Sequence, residues 1–139
     1  MIFIVMKVTV KHTKSFFNEE QIGVIDKFIY FLQKECPLIN DVVIDFTKDR
    51  PFDMTTGTRK SPHNIYVLGR DRLLADILRT LSHEWIHEYE HQRLGLSQKA
   101  KVPNIGGPAE DIANMMMGII FKKFERYYPK EKKVIYNEN

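Results

Sequence analysis

Disulfide chemistry is the first thing this chain lacks. Cys36 is the single cysteine among 139 residues, so no internal disulfide can form and nothing demands an oxidising compartment. Long apolar runs are missing too. The opening stretch Met1 to Met6 is cut off by Lys7, too short for a signal sequence, and no segment reaches the roughly 20 apolar residues that span a bilayer. Charge of one sign is also scarce. The formal net charge is only +3, and the basic positions Lys122, Lys123, Arg126, Lys130, Lys132 and Lys133 are interleaved with Glu125 and Glu131. No aromatic and basic platform accompanies them, which argues against nucleic acid as a partner. No repeat or low-complexity tract divides the chain. These absences lead to the expectation of one soluble cytoplasmic domain over residues 1–139 with no membrane partner. With hydrophobic residues at 43% and charged residues at 28%, the chain can bury one core unaided.

The elements follow from periodicity. Ile2 to Val10 reads as a strand, with Val8 and Val10 alternating against Lys7, Thr9 and Lys11. Asn18 followed by Gln21 makes a variant capping box, opening a helix that runs to about Glu35 and stops before Pro37. Cys36 at its end is expected to be a packed, inert thiol. Asp41 to Thr47 and Asn64 to Leu68 read as two further strands. Lys48 to His63, with Pro51, Gly57 and Pro62, reads as a long loop or open hairpin connection. A second helix spans Asp71 to Gly95, with Leu74, Ile77, Leu78, Leu81 and Trp85 as its apolar stripe. A polar connection from Gln98 to Gly107 leads to a third helix, which has Pro108 at its first position and Pro129 as its stop. Its buried face is expected at Ile112, Met115, Met116, Ile119 and Phe124, with the methionines as core filler. Residues 130–139 read as a charged tail. The sum is an α+β domain of three strands and three helices.

The chemistry concentrates on the second helix, in His83-Glu84-Trp85-Ile86-His87. Two histidines four residues apart share one helix face, so their imidazoles can grip one metal ion from the same side. Glu84 projects to the edge of that face, within reach of a water on the metal. This is the geometry of zinc-dependent peptide hydrolysis, with Glu84 as general base. The two histidines fall roughly opposite the apolar stripe, so they face either water or a cleft covered by later chain.

Catalytic zinc usually takes three protein ligands. His91 lies about 9 Å from the level of Trp85 along the helix axis at 1.5 Å per residue, out of reach in an unbroken helix. Glu110, at the start of the third helix, is the better candidate, with Asp111 as a minor alternative. Asn114 lies one turn after Glu110 and could accept a hydrogen bond from the outer ring nitrogen of a ligating histidine.

His83-Glu84-x-x-His87 followed by Glu110-x-x-Ala113-Asn114 resembles the gluzincin metallopeptidases, and the short length resembles their smallest members, the minigluzincins. The resemblance covers roughly Asn64 to Tyr127. It implies a small zincin-like fold with a mixed sheet, Zn2+ held by His83, His87 and Glu110, and a peptide or protein substrate. It also implies that an edge strand, here Ile65 to Leu68, lines the cleft. Glu88 stands where many such enzymes carry an uncharged residue, and Asn114 where larger ones often have aspartate. For the oxyanion donor, Tyr66 and His91 are candidates, as are Tyr89 and His63. The alternative is a latent or inactive zinc-binding protein with a structural or partner-binding role. In that case the connection after Lys48 or a chain end covers the metal, with Asp53, His63, Glu131 or Glu138 as blocking groups.

Overall fold

A computed structural model of the chain describes residues 6–51, 55–60, 63–94 and 108–136. Four strands form one mixed sheet: β1 (Val8–Lys11), β2 (Val42–Thr47), β3 (Gly57–Lys60) and β4 (Asn64–Leu68). Their order is β1-β2-β4-β3; β1, β2 and β4 run parallel, and β3 pairs antiparallel with β4. Five α-helices complete the described chain: α1 (Thr13–Phe16), α2 (Glu19–Glu35), α3 (Leu74–Tyr89), α4 (Pro108–Tyr127) and α5 (Glu131–Ile135). A π-helical segment, Glu90–Leu94, continues α3. None of the helices is long and apolar enough to cross a membrane.

Local sequence explains most of this. The expected box caps α2: the Asn18 side chain accepts from the Gln21 backbone N–H at 2.8 Å, and the Gln21 side chain accepts from that of Asn18 at 3.0 Å. Along β2, Val42, Ile44 and Phe46 are buried while Val43, Asp45 and Thr47 are partly exposed, the alternation of a sheet with one packed face. Ile65 and Val67 of β4 continue the packed face. It joins Phe28 and Leu32 of α2, Leu78 and Trp85 of α3, and Phe124 of α4 in one buried cluster. Trp85 satisfies its indole N–H on the Cys36 carbonyl at 2.9 Å.

Expectation and structure differ at four places. The connection after Lys48 contains a strand, β3, so the sheet has four strands. Its sequence, Gly-Thr-Arg-Lys, has no apolar alternation, because the two positions facing α3 are a glycine and an arginine. The sheet edge beside α3 is therefore β3, and Ile65 to Leu68 lies in the interior, between β2 and β3. The tail is in part a fifth helix, packed on α2 and α3, with Ile135 fully buried and Glu131 paired to Lys27. The short α1 was likewise unforeseen. Finally, α4 buries Ala113, Ile120, Phe121 and Phe124, whereas Met115 and Ile119 are 60% and 55% exposed. That helix is apolar around much of its circumference, so spacing alone does not select its inward side.

The path of α3 sets the position of the site. It returns antiparallel to β4: Gly57, opposite Val67, meets Thr80 and Glu84, while Arg59, opposite Ile65, meets Glu88. A Cβ on Gly57 would lie 2.4 Å from Thr80 Cγ2 and 3.2 Å from Glu84 Cγ, so only glycine lets the edge strand lie this close to the helix.

Candidate metal centre

The second half of α3 is buried on nearly every side. Beyond the expected stripe, Ile86, Glu84, His87 and Glu88 are all buried. This resolves which way the histidines face: toward later chain, meeting Glu110 of α4. The α4 helix packs on α3 and presents Glu110 from its first turn, where the helix dipole favours a carboxylate. Glu110 heads the inward row that continues through Ala113, Ile120 and Phe124.

His83, His87 and Glu110 converge. Glu110 Oε1 stands 2.7 Å from His83 Nε2, and Glu110 Oε2 stands 3.1 Å from His87 Nε2. The two Nε2 atoms are 3.1 Å apart, on rings that meet nearly perpendicular at 87°. Among the described residues this is the single group of three or more histidine, cysteine, aspartate or glutamate side chains that could hold one ion. Asp111 is exposed and outside it.

The donor set fits a divalent cation. His87 donates its Nδ1–H to Glu90 Oε1 at 2.8 Å, and both side chains are 1% exposed. A carboxylate only accepts, so this bond puts the proton on Nδ1 and turns the Nε2 lone pair inward. Two imidazole nitrogens and a carboxylate oxygen are donors zinc prefers; ligands of a tetrahedral zinc at about 2.0–2.1 Å stand about 3.3 Å apart. The separations of 2.7 to 3.1 Å found here need only a slight opening.

Glu90 holds the position that Asn114 was expected to fill. Asn114 is exposed, on the outward side of α4 beside Met115. The signal for Glu90 was available in the sequence, because a residue three positions after His87 shares its side of a helix.

Glu88, the residue that departs from the gluzincin pattern, is fully buried and receives Arg59 from β3, His63 from the turn before β4, and Gln92. Burial pushes its carboxyl upward. The hydrogen bonds from Gln92, His63 and Arg59, together with the arginine charge, outweigh that and hold it below the ordinary glutamate value. Sequence spacing gave no sign of its two basic partners, which lie 25 and 29 residues upstream; Gln92 lies one turn onward. The network fastens the edge strand to α3.

The remaining candidates separate clearly. Glu84 is 7% exposed, under the backbone of Gly57. Tyr66 alternates with the inward Ile65 and Val67, so it lies on the sheet face away from α3, with the Lys60 amine over its ring. His91 is exposed on the π-helical segment, 6.3 Å between ring centroids from His63. Tyr89 packs against the core. Of the blocking groups, His63 is bound to Glu88 and Glu131 to Lys27. Asp53 and Glu138 lie outside the described residues, as do Gly95 and the connection 98–107.

Comparison with family models finds none that matches, and comparison with curated proteins and with solved structures finds no match for this chain.

Proposed function

We propose that this chain is a zinc-dependent metallopeptidase of the gluzincin type, cleaving peptide bonds in extended polypeptide. The observation that carries the reading is the convergence of His83, His87 and Glu110 within 4.8 Å of one another, beside a buried Glu84. A bound zinc supplies a Lewis acid that polarises the scissile carbonyl and makes water a nucleophile near neutral pH. His83, His87 and Glu110 would hold the ion. Glu90 keeps His87 in the tautomer that ligates. Glu84 accepts the proton of the attacking water and returns it to the leaving amine. The edge strand β3 offers backbone groups to which an extended substrate can add as a further strand.

Burial of Glu84 beneath Gly57 supports a second reading: a zinc-binding protein whose cleft is shut until β3 moves. Glu84→Gln separates the possibilities. It should keep one zinc per chain while hydrolysis of an unfolded protein substrate falls by about 10²-fold or more. Cleavage at the parent rate would show that Glu84 is not the base. A parent that holds zinc and cleaves nothing would favour the shut form.

A further inference from the structure

The opposite end of the sheet carries a second feature, independent of the zinc reading. A cavity of about 620 Å³ opens outside the carboxyl ends of β1 and β2, bounded by His12, Phe16, Asp45, Phe46, Lys48 and Arg70. Its size falls in the small-molecule range, and the carboxyl ends of parallel strands are where open α/β sheets bind ligands.

Three properties restrict what it takes. One wall is aromatic and close-fitted: a Cβ on Gly69 would stand 2.9 Å from Phe16 Cδ2, so the Phe16 ring rests directly on backbone, while Phe46 is buried against Phe17. Second, the charge is unbalanced. Asp45 is occupied by His12, whose Nδ1 lies 2.7 Å away. Lys48 makes no ion pair among the described residues, and Arg70 has only loose pairs, 3.6 Å to Asp49 and 3.8 Å to Asp71, both highly exposed carboxylates. Such pairs hold a guanidinium weakly. Two cations are therefore available at the rim. Third, His12 holds a left-handed backbone at φ 69°, a conformation that residues with a β-carbon adopt rarely and that concentrates at functional sites. It sets the imidazole against Asp45, leaving Lys48 and Arg70 as the cations on the lining.

We infer that this cavity is a binding site for a small amphiphilic anion, with an apolar body against Phe16 and a carboxylate or phosphate head facing Lys48 and Arg70. A cationic ligand would meet two like charges, and a purely polar one would strand the aromatic wall.

The test is an amide-resolved NMR titration of the full chain with 4-phenylbutyrate, phenyl phosphate and the neutral 4-phenylbutyramide. Saturable shifts at Phe16, Thr47 and Gly69 are expected with at least one acid at millimolar concentrations, and about tenfold weaker binding of the amide. A stronger response to either acid identifies the head group. K48Q/R70Q, two exposed substitutions, should weaken the acid about tenfold and leave the rest of the spectrum in place. Equal binding of acid and amide would overturn the inference. So would parent-like binding by the double variant, shifts centred elsewhere, or no saturation by about 10 mM, weaker than fragments of this size reach in a formed pocket.

Discussion

Two histidine–carboxylate pairs of nearly equal length sit at opposite ends of the sheet. His87 and Glu90 are 2.8 Å apart with both side chains 1% exposed; His12 and Asp45 are 2.7 Å apart at 59% and 25% exposed. Distance does not distinguish them, but surroundings do. The buried pair is shielded from water, so its proton position is fixed and the other ring nitrogen meets His83 and Glu110. The exposed pair competes with water and salt, and its bond is worth little to stability. What it does is occupy one carboxylate at the mouth of a cavity. The same two side-chain types thus fix the proton and orientation of a buried ring in one place and tie up a surface carboxylate in the other.

The largest effect should come from the network that closes the buried end. Glu88→Gln leaves the Arg59 guanidinium without its counter-charge in a buried setting, which costs about 3–5 kcal/mol, or roughly 10 °C or more in thermal midpoint for a domain of this size. The sign with pH follows from the lowered carboxyl of Glu88. Its contribution is present above the ordinary glutamate value of 4.5 and is lost as pH falls through its lower folded value. The variant should therefore show a flatter acid limb. A midpoint within a degree or two of the parent's would mean that the network is not the clamp described here.

A smaller effect is expected at the buried pair itself. Glu90→Gln keeps the shape but removes the charge and the fixed acceptor. Zinc affinity should fall about 10–100-fold by competition with a chromophoric chelator, and the fold should persist. Unchanged affinity would remove Glu90 from the metal site. The smallest effect belongs to the exposed pair. Asp45→Asn should alter stability by no more than about 0.5 kcal/mol and leave zinc affinity alone. A loss comparable to that of Glu90→Gln would erase the contrast between the two ends.

The parts of the molecule that were legible in the sequence are those whose signals are local. The capping box of α2, the alternation of β2, the stripe of α3 and the H-E-x-x-H spacing each depend on residues within a turn or two, and the structure places them as read. Glu110 was reachable because few acids follow His87 at the start of a helix. Much of what escaped depends on contacts distant in sequence; Glu90, three residues after His87, is a local exception. β3 has no pattern of its own; Gly57 and Arg59 make sense only against Thr80, Glu84 and Glu88 across the fold. Asn114 was misplaced because α4 is apolar on several sides, and the inward row turned out to be Glu110, Ala113, Ile120 and Phe124. Tyr66 was misplaced through strand parity: its neighbours Ile65 and Val67 occupy the helix-facing side, which sends every alternate residue the other way. Glu88, odd by comparison with the gluzincin pattern, has its explanation in partners contributed by β3 and by the turn before β4.

Metal content, measured together on the parent, Glu110→Ala and His91→Ala, is the most direct test of the convergence on which the proposed chemistry rests. One zinc per chain is expected in the parent and in His91→Ala, with loss in Glu110→Ala while the fold is retained. Full zinc in Glu110→Ala, or none in a folded parent supplied with the ion, would contradict a shared site built from His83, His87 and Glu110.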